Sequence, residues 1–136
     1  MTTAFDMIIK YTPLYKEARW CVCGDFYIGY WCNKYSDGSS VREGDTITEK
    51  AAKRLLQNEL EKIIIPNGNW NDNQKEALKS LIYYLQYAWD ESKIKKAIED
   101  GNIKDAKKLW FEIKDSAQEN LKPWKQEEID LFFGED

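Results

Sequence analysis

The sequence predicts a mostly helical α+β domain in which a short β-hairpin near the N-terminus is followed by a set of helices. Three observations predict it. The first is the Gly24-Asp25 turn signal between two apolar, aromatic runs, Trp20-Cys21-Val22 and Phe26-Tyr27-Ile28-Gly29-Tyr30. This pattern reads as a hairpin with Cys23-Gly24-Asp25-Phe26 at its tip. The second is a succession of later segments whose apolar residues recur at helical spacing between capping and stop residues. The third is composition: 136 residues, 43% apolar and 14% aromatic, suit one domain with a core of its own and not a disordered tail.

The elements follow in chain order. Phe5, Ile8, Ile9 and Tyr11 share one helical side, and Thr2 or Thr3 can cap that segment. Pro13 disfavours helical geometry at Thr12, so the first helix should end there. After the hairpin, Asn33 to Asp45 is polar and turn-rich, as expected of the outer edge of a small β lobe. Thr48 is a good N-cap for a helix carrying Ala51, Ala52, Leu55, Leu56, Leu60, Ile63 and Ile64, which Pro66-Asn67-Gly68-Asn69 stops. Asn71 and Gln74 have capping-box spacing. The helix they open carries a stripe of Ala77, Leu78, Leu81, Ile82, Leu85, Ala88 and Trp89, wide enough for a central helix of a helical lobe. Glu91 to Asp100 is a short helix ended by Gly101, and Ile103, Ala106, Leu109, Trp110, Ile113 and Ala117 make another stripe.

Charge and composition narrow the function classes. The net charge of -4 lacks the basic balance that nucleic acid calls for. Long-range steering would also oppose, not help, approach to an anionic polymer such as peptidoglycan. No stretch approaches the ~20 apolar residues of a membrane span. Met1 to Leu14 has neither the basic start nor the apolar length of a signal peptide. The expectation is a cytoplasmic protein with reduced thiols, released on lysis.

Several stretches, in order, resemble the phage-type lysozymes of glycoside hydrolase family 24. Tyr27-Ile28-Gly29-Tyr30-Trp31-Cys32-Asn33 is similar to the family strand T-I-G-Y-G-H-T. ITEKAAKRLLQNEL is similar to I-T-x-x-E-A-x-x-L-L, and WNDNQKEALKSLIYYL to L-N-x-N-Q-x-x-A-L-x-S-F. KIKKAIEDGNIKDA resembles L-L-K-K-L-N-x-G-D-x-x-x-A. KPWKQEEIDLF resembles the ending G-L-x-R-R-x-x-E-x-x-L-F, matched at Glu128, Leu131 and Phe132, with Trp124-Lys125 in place of the Arg pair and no Gly-Leu. The resemblance runs from Phe5 to Phe133. It implies a single lysozyme-like domain over residues 1–136, with a β lobe at 14–46 and a helical lobe at 47–133 plus the N-terminal helix. The helix after Thr48 would join the lobes. A phage or prophage origin is also implied.

The resemblance also locates the chemistry. The family places a Glu at the end of the first helix, then eight residues, an Asp, five more and a Thr. Counting back from Ile28-Gly29-Tyr30 puts Thr12, Cys21 and Tyr27 at those positions. Glycoside hydrolysis usually needs an acid with a raised pKa and a carboxylate base or nucleophile, so the spacing is kept and the groups are gone. Thr12 is expected to look into the family's cleft, where a hydroxyl is no useful acid near neutral pH. A relocated acid could be Glu17, expected in the turn before the hairpin, or Asp25 at its tip. Cys21 as a nucleophile would need its pKa lowered, and the chain has no His to do it. Tyr27 would need a neighbouring base.

Cys21, Cys23 and Cys32 supply at most three metal ligands, and alternate residues of a regular strand would not converge. They read as small buried side chains, with a disulfide between Cys32 and one of the others open after oxidation. No metal or other cofactor is implied. Trp20, Tyr27, Tyr30, Trp31 and Tyr35 are a candidate binding surface for sugar or protein, or else the core of the small lobe. Trp31 stands at a family Gly and should fill space there. Two functions remain: a lysozyme-like module that has lost muramidase catalysis and binds a peptidoglycan fragment or a protein, and an active muramidase whose acid has moved. Loss of all three groups together favours the first.

Overall fold

The protein is described by a computed structural model covering residues 2–134. In chain order it has α1 (Ala4–Tyr11), β1 (Tyr15–Trp20), β2 (Phe26–Gly29), α2 (Glu49–Glu61), α3 (Asp72–Leu85), α4 (Lys93–Glu99), α5 (Ile103–Ser116) and α6 (Lys122–Phe133), with short 3₁₀ turns at Gln86–Trp89 and Glu119–Leu121. The chain divides into two compact units. Ile8–Lys62 forms one; the N-terminal residues through Met7 and the chain from Ile63 onward form the other. No helix among the described residues is long and apolar enough to cross a membrane.

In the Ile8–Lys62 unit, β1 and β2 pair antiparallel, Trp20 opposite Phe26 and Arg19 opposite Tyr27, with the register shifting between Tyr15 and Arg19. The entering strand is therefore Tyr15–Trp20 and not Trp20–Val22. The turn takes the cysteines: Cys21 N donates to Asp25 O at 2.9 Å and Gly24 N to Cys21 O at 3.0 Å. On the far side of β1, Ala18 N donates to Asp45 O and Ile47 N to Lys16 O, at 2.9 and 2.8 Å. β1 is thus the middle line of a small sheet. Ile28, Cys32, Val41 and Leu55 of α2 form the core beneath it, with Ala18, Phe26, Tyr35 and Ile47 around them. Thr48 caps α2 by accepting from Ala51 N. The helix ends at Glu61, so Ile63 and Ile64, expected within it, lie beyond it, and Ile64 is exposed.

The other unit is built on α3, α5 and α6. The capping box at Asn71 and Gln74 is present in both directions. Ala77, Leu78, Leu81, Ile94, Ile98, Ala106, Trp110, Ile129 and Phe132 are buried in one core. The Gln74 amide donates to Phe132 O at 3.3 Å, tying the start of α3 to the end of α6. Gln86 has φ +51, so the chain turns sharply at the end of α3. Ser92 and Asn102 cap α4 and α5.

One feature of this core is not visible in the apolar pattern. Lys125 and Glu128 are fully buried. Lys125 Nζ donates to Glu128 Oε2 at 2.7 Å and sits over the Tyr84 and Trp124 rings at 3.8 and 4.0 Å. Glu128 also accepts from Ser80 Oγ and, at 3.1 Å, from Trp110 Nε1. Ser80 in turn accepts from Trp124 Nε1 at 2.7 Å. A buried charge is tolerated only when it is paired and its remaining lone pairs are filled, and no buried side-chain polar atom among the described residues lacks a partner. Burial pushes the Lys125 amine down to about 8 and the Glu128 carboxyl up.

Candidate functional site

The positions singled out from the sequence all fall in the Ile8–Lys62 unit. Thr12 ends α1. Pro13 stops the helix, and the Thr12 side chain turns back on it: the hydroxyl donates to Ile8 O at 2.6 Å, beside the backbone bond from Thr12 N at 3.0 Å. Thr12 is 5% exposed. The last turn of α1 has taken the hydroxyl proton as a capping donor.

Cys21 and Cys23 form a disulfide with Cα atoms 5.1 Å apart. The expectation that they would not converge assumed a regular strand. They lie instead in the tight turn, whose curvature brings alternate residues together. Cys32 is buried and outside the disulfide, so neither disulfide involving Cys32 is formed. In this state the Cys21 sulfur is neither a nucleophile nor a base. Tyr27 is half-buried, its hydroxyl 3.8 Å from Cys23 Sγ. No group of three or more Cys, Asp or Glu residues among those described could hold a metal ion.

Among the described residues, neither carboxyl group considered as a relocated acid makes a hydrogen bond or ion pair with Thr12, Cys21 or Tyr27. Glu17 is not in a turn before the hairpin. It lies within β1, pairs with Thr46 and is exposed. Asp25 is exposed at the tip and contributes its backbone carbonyl to the turn.

The aromatic residues divide into separate environments. After Ile28 the chain reverses at once: Ile28 N donates to Cys32 O at 2.8 Å and Cys32 N to Ile28 O at 3.0 Å. The three-residue loop this closes needs left-handed backbone at both ends, Gly29 with φ +63 and Trp31 with φ +68. At Gly29 an added Cβ would also stand 3.2 Å from Ala52 Cβ of α2. Trp31 therefore occupies a conformation suited to glycine. Its ring is half-buried. Tyr30, inside the loop, is 5% exposed and belongs to the interior, so it leaves the candidate surface. Trp20 is 60% exposed and packs edge-on against Phe26 at 5.0 Å. Beside it Val22 stands fully in solvent, a tip residue the sequence had placed in a strand.

Tyr35 is half-buried, and its hydroxyl donates to Asp45 Oδ2 at 2.6 Å. Burial and the Asp45 carboxylate push the Tyr35 hydroxyl up to about 12, while the same bond and that from Arg42 N hold Asp45 below the usual carboxylate range.

The family described as phage lysozyme matches residues 11–125 of the chain. The chain belongs to the phage lysozyme family. Solved structures agree in fold. An endolysin from Escherichia coli O157:H7 phage FAHEc1 superposes with a TM-score of 0.73 at 22% identity, covering 98% of this chain and 94% of that one. The muramidase domain of SpmX from Asticaccaulis excentricus gives 0.78 at 22% identity, covering 97% and 95%. A P22 lysozyme variant gives 0.70 at 24% identity, covering 98% and 100%. No curated protein sequence matches. In this member of the phage lysozyme family, the positions assigned by resemblance to Glu, Asp and Thr hold a helix-bonded hydroxyl, a disulfide sulfur and a phenol.

Proposed function

We propose that this phage lysozyme family protein has lost muramidase catalysis and serves as a non-catalytic binder of peptidoglycan glycan. One observation carries the reading: the three positions that the resemblance assigns to a Glu, an Asp and a Thr carry no carboxyl group, and two of them are already bonded within the fold. Thr12 donates to Ile8 O and Cys21 is joined to Cys23. A general acid must give a proton to the leaving oxygen near neutral pH, and neither a threonine hydroxyl nor a disulfide can. The partly exposed aromatic residues of the same unit support retained binding, since rings give contact area without chemistry. The protein would meet its ligand after lysis.

The test is co-sedimentation with purified peptidoglycan sacculi, with turbidity followed in the same tube. Protein in the pellet with steady turbidity is the expected result. Clearing of the suspension would overturn the loss of catalysis, and protein left wholly in the supernatant would overturn the glycan-binding role.

A further inference from the structure

Asn67 and Gly68 lie on an exposed bend in the connection between α2 and α3. Its flanks are pinned: Trp70 Nε1 donates to Pro66 O at 2.8 Å, and the Trp70 ring packs on Phe132 with centroids 5.5 Å apart. The indole lies so close over the chain that a Cβ on Gly68 would stand 2.4 Å from it, so with the ring in place position 68 admits only glycine. The pair itself is not held. Among the described residues the Asn67 side chain and the Gly68 amide make no hydrogen bond. The sequence also has two Asp-Gly pairs, Asp37-Gly38 and Asp100-Gly101, and in both the glycine amide is engaged. Gly38 N donates to Tyr35 O at 2.9 Å, with Asp37 Oδ1 held by Ser39, and Gly101 N donates to Ile98 O at 3.1 Å.

We propose that Asn67 is a covalent modification site, converted in the folded protein through a cyclic imide with Gly68 to aspartate and isoaspartate. Gly68 N gives its proton to solvent base and attacks Asn67 Cγ. A C–N bond forms there, and the side-chain nitrogen leaves as ammonia. Water then opens the imide and restores the Gly68 N–H. Opening at the side-chain carbonyl gives aspartate; opening at the main-chain carbonyl gives isoaspartate. Glycine brings no Cβ to crowd the ring, its free amide has no bond to give up, and an exposed bend outside helix and sheet costs little to rearrange. Either product adds a negative charge. Isoaspartate also lengthens the main chain by one methylene between Pro66 and Trp70, which displaces the indole from Pro66 O.

The experiment incubates the full chain in mildly alkaline buffer beside a synthetic peptide of residues 63–71. Samples taken over time are digested, and the peptide containing position 67 is followed by mass spectrometry for the replacement of NH2 by OH. Isoaspartate is counted by labelled methyl transfer from S-adenosylmethionine with an isoaspartyl methyltransferase. The folded chain should react at Asn67 within about threefold of the peptide's rate, because the fold does not protect the pair. Asp37 and Asp100 should stay as aspartate over the same period. Asn67→Gln keeps the amide on a longer stem that closes the ring poorly, so its isoaspartate signal should be lost. The Asn67 side chain makes no contact that folding needs, so this variant stays folded. A rate in the folded chain more than about tenfold below the peptide's, a segment held closed by about 1.4 kcal/mol, would overturn the proposal. So would isoaspartate that persists undiminished in Asn67→Gln, since it would then arise elsewhere.

Discussion

Replacing Lys125 by Met tests the energetics of the larger unit at its most sensitive point. Met keeps the length of the stem, so the packing against Tyr84 and Trp124 survives with little cavity. What is lost is the ammonium 2.7 Å from Glu128 Oε2. Glu128 then remains fully buried with only Ser80 and Trp110 as neutral donors. Breaking one side of a buried pair costs about 3–5 kcal/mol. Protonation of Glu128, whose pKa burial already raises, limits the loss, so the expected cost at pH 7 is about 3 kcal/mol. That is a large share of the roughly 5–15 kcal/mol of an ordinary domain. Urea unfolding of the wild type, Lys125→Met, Glu128→Gln and the double variant gives the coupling, expected above about 2 kcal/mol. The pH dependence adds a sign. A carboxyl whose folded pKa is raised contributes stability that is complete below its unfolded pKa and lost as pH rises through the folded value. In Lys125→Met the carboxyl is raised further, so the penalty should shrink as pH is lowered toward 4.5, its ordinary value. A cost under about 1 kcal/mol with no change in acid would refute the view that the pair neutralises a charge the core cannot otherwise hold.

Other consequences are open to direct measurement. Trp31→Ala and Trp31→Gly both remove the ring, but only glycine relieves the backbone at φ +68, so the Gly variant should be about 1 kcal/mol the more stable in urea unfolding. Tyr35 should titrate late, near 12 by ultraviolet absorbance, and the stability that its protonated form contributes should fall as pH rises from 10 to about 12. Tyr35→Phe should move the Asp45 carboxyl up toward its usual range by NMR. The stability from that carboxylate, complete above its unfolded value and lost as pH falls through the folded one, should diminish in the variant. Protein unfolded without reductant should show a single titratable thiol, Cys32, and three after reduction; three without reductant would contradict the Cys21–Cys23 bond.

The sequence was most legible where local chemistry decides local structure. Thr48 and Asn71, read as caps from the sequence, cap α2 and α3 by accepting from nearby amides, an interaction complete within four residues. The hairpin was recognised but its register was not. A turn signal at Gly24-Asp25 does not say how many residues the loop spends, and here it takes Cys21 through Asp25 and shifts the entering strand to Tyr15. The same limit hid the Ile28–Cys32 reversal, which removes Tyr30 from the surface and makes Trp31 a left-handed residue. Lys125 and Glu128 carry no sign of burial in their own side chains, which are charged and three residues apart. Their burial depends on Trp110 and Ser80 arriving from α5 and α3, although the flanking Trp124, Ile129 and Phe132 were a usable sign. At the candidate site the identities of Thr12, Cys21 and Tyr27 were legible from the spacing, while what holds them, the Ile8 carbonyl and the Cys21–Cys23 disulfide, depends on the folded turn.

The most direct test of lost catalysis is muropeptide release. Purified protein is incubated with several peptidoglycans, and the soluble products are analysed by mass spectrometry beside Glu17→Gln and Asp25→Asn variants. The account predicts no glycan fragments above buffer from any of the three proteins. Fragments from the wild type that vanish in either variant would contradict it and identify that carboxyl as a working acid.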